Sequence, residues 1–135
     1  MSASKQIETG TNFTPKFNDQ GLIPAIAQDA HTNQILMLAY MNPEALAETI
    51  KTGHAIYYSR SRKKLWRKGE QSGHTQKVQQ ILTDCDQDTI ILKVTVNAGQ
   101  CHVGYHSCFY RKLIPNSKNQ LKFIAQPTYD PNQVY

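Results

Sequence analysis

Cys85, Cys101 and Cys108 share one stretch of the chain with Asp84, Asp86 and Asp88. Thiolates are soft ligands that suit zinc, whereas carboxylates are hard ligands that suit magnesium. Interleaving the two sets in Asp84-Cys85-Asp86-Gln87-Asp88 predicts two metals of different character close together. That pairing points to metal-dependent chemistry on a phosphate-bearing substrate. Fifteen residues separate Cys85 from Cys101 and six separate Cys101 from Cys108, which is not the C-x-x-C spacing of a zinc ribbon. Free cysteine is often a plain core residue. Here, however, Cys85 lies between two aspartates, and Cys101 and Cys108 neighbour His102 and His106 in a polar loop. Three thiolates with an open fourth position describe a catalytic zinc, and a shell closed by His102 or His106 describes a structural one.

The D-x-D-x-D pattern also begins a calcium-binding EF-hand loop. Such a loop needs glycine at its sixth position and glutamate at its twelfth, where this chain has Thr89 and Thr95. With that excluded, three carboxylates at alternate positions share one face of extended backbone, where a divalent cation would relieve their repulsion. The plainer alternative is a solvated acidic turn. Upstream, Ser59-Arg60-Ser61-Arg62 and the segment Trp66 to His74 supply arginine forks and hydroxyls suited to phosphate oxygens. Trp66 offers an aromatic face for a base or a core contact, and Gly69 and Gly73 permit close backbone approach to a ligand. Arg60, Arg62, Lys63, Lys64, Arg67 and Lys68 fall within nine positions. The simplest reading of that cluster is a solvated hairpin tip; a nucleic-acid patch and a small-molecule phosphate site are the others. The H-x-E…P-C-x-x-C signature of zinc nucleobase deaminases is absent, which excludes that scaffold.

These residues need a frame. A chain of 135 residues with 39% apolar content is expected to form one domain that buries its core without disulfides. No apolar run approaches the roughly 18 residues of a membrane span. Residues 1–21 lack a secretory pattern, and an odd count of three cysteines favours reduced thiols, so a cytoplasmic location is expected. The net charge of +5 attracts anions without saying which. Residues 1–20 read as a loose arm, 21–114 as the catalytic domain and 115–135 as a tail packing on it.

Leu22–Gln28 and Ile35–Met41 read as a hairpin joined through the turn-rich Asp29–Asn33. Asn42, Pro43 and Glu44 start a helix that Gly53 stops. His54–Arg60, Gln76–Leu82, Thr89–Val96, Cys108–Ile114 and Gln120–Ala125 read as strands, with Asp84–Asp88 in the turn between the second and third of these. The predicted class is α+β, mainly antiparallel or mixed β-sheet with one or two short helices.

Gly21-Leu22-Ile23-Pro24-Ala25, Leu36-Met37-Leu38-Ala39-Tyr40-Met41-Asn42, Tyr58-Ser59-Arg60-Ser61-Arg62 and Leu65-Trp66-Arg67-Lys68-Gly69-Glu70-Gln71-Ser72-Gly73 together resemble the phosphoribosyl-AMP cyclohydrolase family. So do Asp84-Cys85-Asp86-Gln87-Asp88, Cys101-His102-Val103-Gly104 and Ser107-Cys108-Phe109, in the family's order from about Gly21 to Arg111. Val103 departs from a common threonine, which puts a minor hydrogen bond at issue and not the function. No room remains for the second, pyrophosphohydrolase domain of some relatives, so a stand-alone cyclohydrolase is expected.

The resemblance implies the third step of histidine biosynthesis. In it, zinc-activated water opens the adenine ring of phosphoribosyl-AMP between N1 and C6, giving the formimino-aminoimidazole carboxamide ribonucleotide. It further implies zinc on Cys85, Cys101 and Cys108, magnesium on Asp84, Asp86 and Asp88, and an intertwined homodimer whose zinc ligands come from both subunits. Arg60, Ser61, Arg62, Trp66, Lys68, Ser72 and His74 are the expected substrate contacts. His102 is the expected proton carrier, since histidine titrates near neutrality and this one adjoins a zinc ligand; Glu70 competes for that role. His31 and His54 read as structural or exposed. The expected partners are a small-molecule nucleotide and a second subunit, with no nucleic acid and no membrane. The rival reading, a zinc-stabilised nucleic-acid-binding module, rests on the basic cluster and Trp66. A Nudix-type pyrophosphohydrolase lacks the glutamate-rich helix it would need.

Overall fold

The computed structural model describes residues 3–134. Its first sheet begins with β1 (Ile23–Asp29) and β2 (Ile35–Met41), an antiparallel hairpin. Alternate residues of β1 are buried, from Ile23 to Asp29, as a strand with one face on the core requires. The hairpin connection is organised by Asp29. Its carboxylate accepts the N–H of His31 at 2.8 Å and of Thr32 at 3.3 Å, a local turn chemistry typical of aspartate.

Helix α2 (Pro43–Thr52) follows the short N-terminal α1 (Ala3–Thr9) in chain order. The Asn42 side chain caps it by accepting the Ala45 N–H at 2.8 Å, and left-handed Gly53 ends it. Its fully buried Thr49 hydroxyl donates to the Ala45 carbonyl and accepts the Ile56 N–H at 3.0 Å. That ties the helix to β3 (Ile56–Ser59), which pairs with β4 (Lys64–Arg67) as a separate antiparallel hairpin.

β5 (Gln76–Thr83) and β6 (Ile90–Val96) complete the main sheet, in the order β2-β1-β6-β5. β1 and β6 run parallel and the other neighbours antiparallel, so the sheet is mixed. A parallel neighbour needs a crossover, and here everything from β2 to β5 supplies it. Ile23, Leu36, Met41, Leu46, Tyr57, Ile90, Leu92 and Val94 form the core between sheet, helix and second hairpin. A last hairpin joins β7 (Arg111–Leu113) to β8 (Leu121–Phe123). No helix among the described residues is long and apolar enough to cross a membrane.

The α+β architecture is the expected one, with three local corrections. The arm expected to be loose begins as helix α1, and its later backbone is hydrogen-bonded, Lys16 N–H to the Gln87 carbonyl at 2.7 Å. The basic cluster contains a strand, β4, whose Leu65 and Trp66 pack on the core. The strand expected over Cys108–Ile114 is only Arg111–Leu113, because Cys108 leaves its own N–H to cap the Leu36 carbonyl at 2.7 Å.

Asp29 gives the fold a pH signature. Desolvation raises its pKa, but the His31 and Thr32 N–H groups and the His106 ring outweigh that and hold the carboxyl below its ordinary value of 3.8. A depressed carboxylate contributes stability that is present above the unfolded pKa and lost as pH falls through the folded one. Asp29→Ala is therefore expected to lower stability by about 1–3 kcal/mol at neutral pH. In urea titrations the gap from wild type should close as pH drops below 3.8. A gap that persists unchanged at pH 2 would contradict this.

Candidate active site

A chain of buried polar groups runs from the core to the surface. The fully buried Tyr57 hydroxyl donates to Gln76 Oε1 at 2.6 Å, and Gln76 Nε2 donates to Gln100 Oε1 at 3.0 Å. Gln100 Nε2 donates to the Ala98 carbonyl at 2.7 Å, and the Gln100 carbonyl accepts Lys68 Nζ at 2.9 Å. Burial pushes the Tyr57 phenol far above its usual range, so it serves this network as a neutral donor. Gln76, Gln100 and Lys68 are all buried. The network fixes two strips of chain against each other, the turn after β4 and the loop after β6.

Between those strips lies a cleft of about 240 Å³. One wall carries Trp66, Lys68, Glu70 and Ser72, with Arg62 at its rim; the other carries Gln100, His102 and Cys108, with Met37 also lining the space. Gly69 turns the first wall at φ 89°, where an added Cβ would stand 2.7 Å from the His74 carbonyl carbon. Trp66 tilts against Tyr57 with centroids 5.1 Å apart, so it is both a core contact and a cleft surface. Both proposed proton carriers, His102 and Glu70, border the same space.

The loop behind the second wall is held by its own backbone. Cys101 N–H donates to the Tyr105 carbonyl and Gly104 N–H to the Cys101 carbonyl, each at 3.0 Å, and the Tyr129 hydroxyl also reaches the Cys101 carbonyl. Cys101 is buried; Cys108 is exposed as a residue, but its thiol turns inward, where it is a hydrogen-bonded neighbour of the Cys101 thiol. Desolvation, reinforced by Cys101 and partly offset by the Lys68 charge, pushes the Cys108 thiol up to about 12. Cys108 is therefore a thiol at neutral pH.

The carboxylates converge elsewhere. Ligand oxygens of Asp84, Asp86 and Asp88 all lie within 4.8 Å of one another. The expected cause, alternation along extended backbone, is incorrect. A turn gathers them: Gln87 at φ 58° donates its N–H to the Asp84 carbonyl, and one Asp84 carboxylate oxygen accepts from Asp88 and Thr89 N–H groups. Hydrogen bonds with Asp84 and then Asp86 raise the pKa of Asp88. Desolvation pulls Asp84 the same way, but its bonds with Asp88, Thr89 and Asp86 outweigh it and leave that carboxyl low. The carboxylates of Asp84 and Asp88 thus shift in opposite directions, as close carboxylates do.

Cys85 stands in this turn, exposed, at the far end of the β5–β6 hairpin from Cys101 and Cys108. Eight strand residues put the two ends on the order of 23 Å apart. Among the described residues no cluster joins the three cysteines, and the aspartate trio is the only group of three metal-capable side chains so close.

Other expected site residues scatter. Arg60 and Ser61 lie across Trp66 from the cleft, in a shallow groove, with the Arg60 guanidinium 4.2 Å from the Tyr40 ring centre. His74 sits behind the first wall, its Nδ1 2.7 Å from the Gly99 carbonyl and its ring edge-on to Tyr129. His106 faces Asp29 at 3.4 Å. Of the basic cluster, the tip is exposed while Lys68 turns inward. Gln76 and Gln100 went unnoticed in the sequence, where a glutamine at a strand start or in a loop gives no sign of being buried.

Comparison with known proteins identifies the family. The family profile described as phosphoribosyl-AMP cyclohydrolase matches residues 37–110. Curated proteins of that name are similar over nearly the whole chain. The one from Sinorhizobium fredii is 52% identical across 96% of this chain and 88% of its own. That from Chlorobium limicola is 50% identical across 100% and 97%, and that from Bordetella avium 56% across 88% and 90%. On a profile match spanning the cleft and on identity of this extent, the chain belongs to the phosphoribosyl-AMP cyclohydrolase family.

Proposed function

We propose that this hydrolase of histidine biosynthesis opens the adenine ring of phosphoribosyl-AMP, between N1 and C6, in the cleft between Trp66–Ser72 and Gln100–Cys108. One observation carries the assignment: a single cleft collects Arg62, Trp66, Lys68, Glu70, Ser72, His102 and Cys108. Ribosylation at N1 leaves the purine electron-poor, so C6 is open to attack by water. The Trp66 face suits the purine, and Arg62 and Lys68 bring positive charge to the substrate's phosphate groups. Arg60 and Ser61 would act at the rim, on the other side of Trp66. His74 would orient the wall that carries Ser72.

The donor sets fit the two implied metals. Cys101 and Cys108 offer neighbouring soft thiols, and the aspartate trio offers hard oxygens at ligand spacing. Zinc held by the thiols supplies the Lewis acidity that makes water nucleophilic near neutral pH, and magnesium on the carboxylates supplies charge for the phosphates. Cys85 stands too far from the other cysteines to join them within one chain. A second copy bringing its Cys85 turn to this cleft completes three thiolates, so the active unit is a homodimer with shared ligands. Within the cleft, His102 takes a proton from the attacking water and returns one as N1 departs, and Glu70 orients the water.

Two outcomes test this. His102→Ala should reduce kcat by about 10²–10⁴-fold and erase one limb of the pH–rate profile, while Glu70→Gln keeps that limb. A His102→Ala enzyme at full rate would sink the assignment. Cys85→Ala and Cys101→Ala should each be inactive alone. Mixed after dissociation, they should recover about a quarter of wild-type activity, because half the dimers are mixed and each of these holds one intact site. No recovery would mean that each chain builds its own zinc site.

A further inference from the structure

We infer that Gln87 is a positioning residue for the carboxylate turn, which it holds in shape by strapping the N-terminal arm across it. This rests on the proposed role of Asp84, Asp86 and Asp88 in binding a divalent cation. Gln87 occupies the centre of the turn at φ 58°, a conformation that glycine or asparagine adopts more readily. Its neighbours Cys85 and Asp86 are exposed, yet Gln87 itself is only 4% exposed.

Every polar group of the residue is used. Its N–H donates to the Asp84 carbonyl at 3.1 Å, and its carbonyl accepts the Lys16 N–H at 2.7 Å. Oε1 accepts the Thr14 N–H at 2.7 Å, and Nε2 donates to the Ile7 and Asn12 carbonyls at 3.3 and 3.2 Å. None of these side-chain bonds goes to a carboxylate. They all go to the backbone of the arm, more than seventy residues away in sequence. The arm in turn borders the ligands: Ile7, Asn12 and Phe13 line one depression with Asp84 and Cys85.

A left-handed glutamine kept in place by five hydrogen bonds is a local strain balanced by a distant contact. If the arm leaves, the backbone at Gln87 is free to relax toward negative φ, and the three carboxylates that the turn gathers separate. Arm docking and cation binding therefore favour the same turn geometry. Linkage is reciprocal, so a bound cation must also tighten the arm.

Mn²⁺, a hard cation with a paramagnetic signal, is the probe. Its affinity would be measured by electron paramagnetic resonance on full-length wild type, Gln87→Met, Thr14→Pro and the double variant. Gln87→Met removes the side-chain bonds at nearly constant volume, and Thr14→Pro removes the arm's N–H to Oε1 while leaving every residue of the turn unchanged. Each is expected to bind Mn²⁺ about tenfold or more weakly, as supporting residues of metal sites do, and the double variant no worse than the weaker single one. In wild type, Mn²⁺ is expected to slow tryptic cleavage after Lys16 by about tenfold.

Unchanged Mn²⁺ affinity in Thr14→Pro overturns the strap. So does cleavage at Lys16 that ignores Mn²⁺ in wild type, a result that needs no variant to fold. If wild type binds no Mn²⁺, or Asp86→Asn binds it equally well, the carboxylate reading itself fails and the strap falls with it. That pattern is distinct from losing the arm effect alone.

Discussion

The hydrogen bond between Gln76 and Gln100 is the contact on which the cleft is built. Gln76 begins β5 and is fully buried; Gln100 lies in the loop after β6 and is 1% exposed. Each amide has a partner beyond the other, Tyr57 for Gln76 and the Ala98 carbonyl for Gln100, while the Gln100 backbone carbonyl accepts Lys68 Nζ. Severing the pair would leave the buried Gln100 Oε1 without its donor and Gln76 Nε2 with only the weak Met37 Sδ acceptor at 3.2 Å, at about 1–3 kcal/mol for each unsatisfied group. Such a network pins the sequence-distant walls more specifically than apolar packing would, because a shifted loop leaves its donors without acceptors. The wall carrying Glu70 and the wall carrying His102 thus keep a fixed separation.

The same geometry keeps soft and hard ligands apart. β5 and β6 lead from the thiol pair at one end to the carboxylate turn at the other. Cys85, between two aspartates, belongs spatially to the carboxylates and by chemistry to the thiols. Under the proposed three-thiolate zinc site, a chain that places one ligand at the far end of a rigid hairpin would need another chain to complete the set. The proposed sharing of ligands across a dimer follows from strand length: a hairpin of this length cannot fold back on itself. In a dimer so built, each cleft would hold both metals, one set of carboxylates arriving beside the partner's thiols.

What could be read from the sequence was what local rules govern. Helix α2 announces itself through Asn42, Pro43 and Gly53, and β6 through alternating Ile90, Leu92 and Val94, because capping and pleat act over a few residues. The carboxylate cluster was legible, but its cause was not: a left-handed Gln87 gathers the side chains where extended backbone was expected. β4 was hidden because Lys64, Arg67 and Lys68 surround the two residues, Leu65 and Trp66, that pack inward. Lys68 itself reads as one more surface cation until its partner, the Gln100 carbonyl 32 residues away, is seen. The glutamines at 76, 87 and 100 escaped notice for a common reason. Glutamine has no strong local preference, so its burial depends on partners that only the folded chain supplies.

Lys68 shows why the cleft needs that fold before it can do chemistry. A buried ammonium with a single carbonyl partner is costly unless charge of the opposite sign lies close. The nearest thiol it influences is Cys108, whose ionisation it favours against desolvation and against Cys101. Alone, Lys68 loses that contest and the thiol stays protonated well above neutrality. A divalent cation on the two thiols would reverse the balance, since thiolates would then face both it and the lysine. In the proposed zinc site the buried lysine would belong to the charge arrangement around the thiols, and the glutamine network is what holds it there.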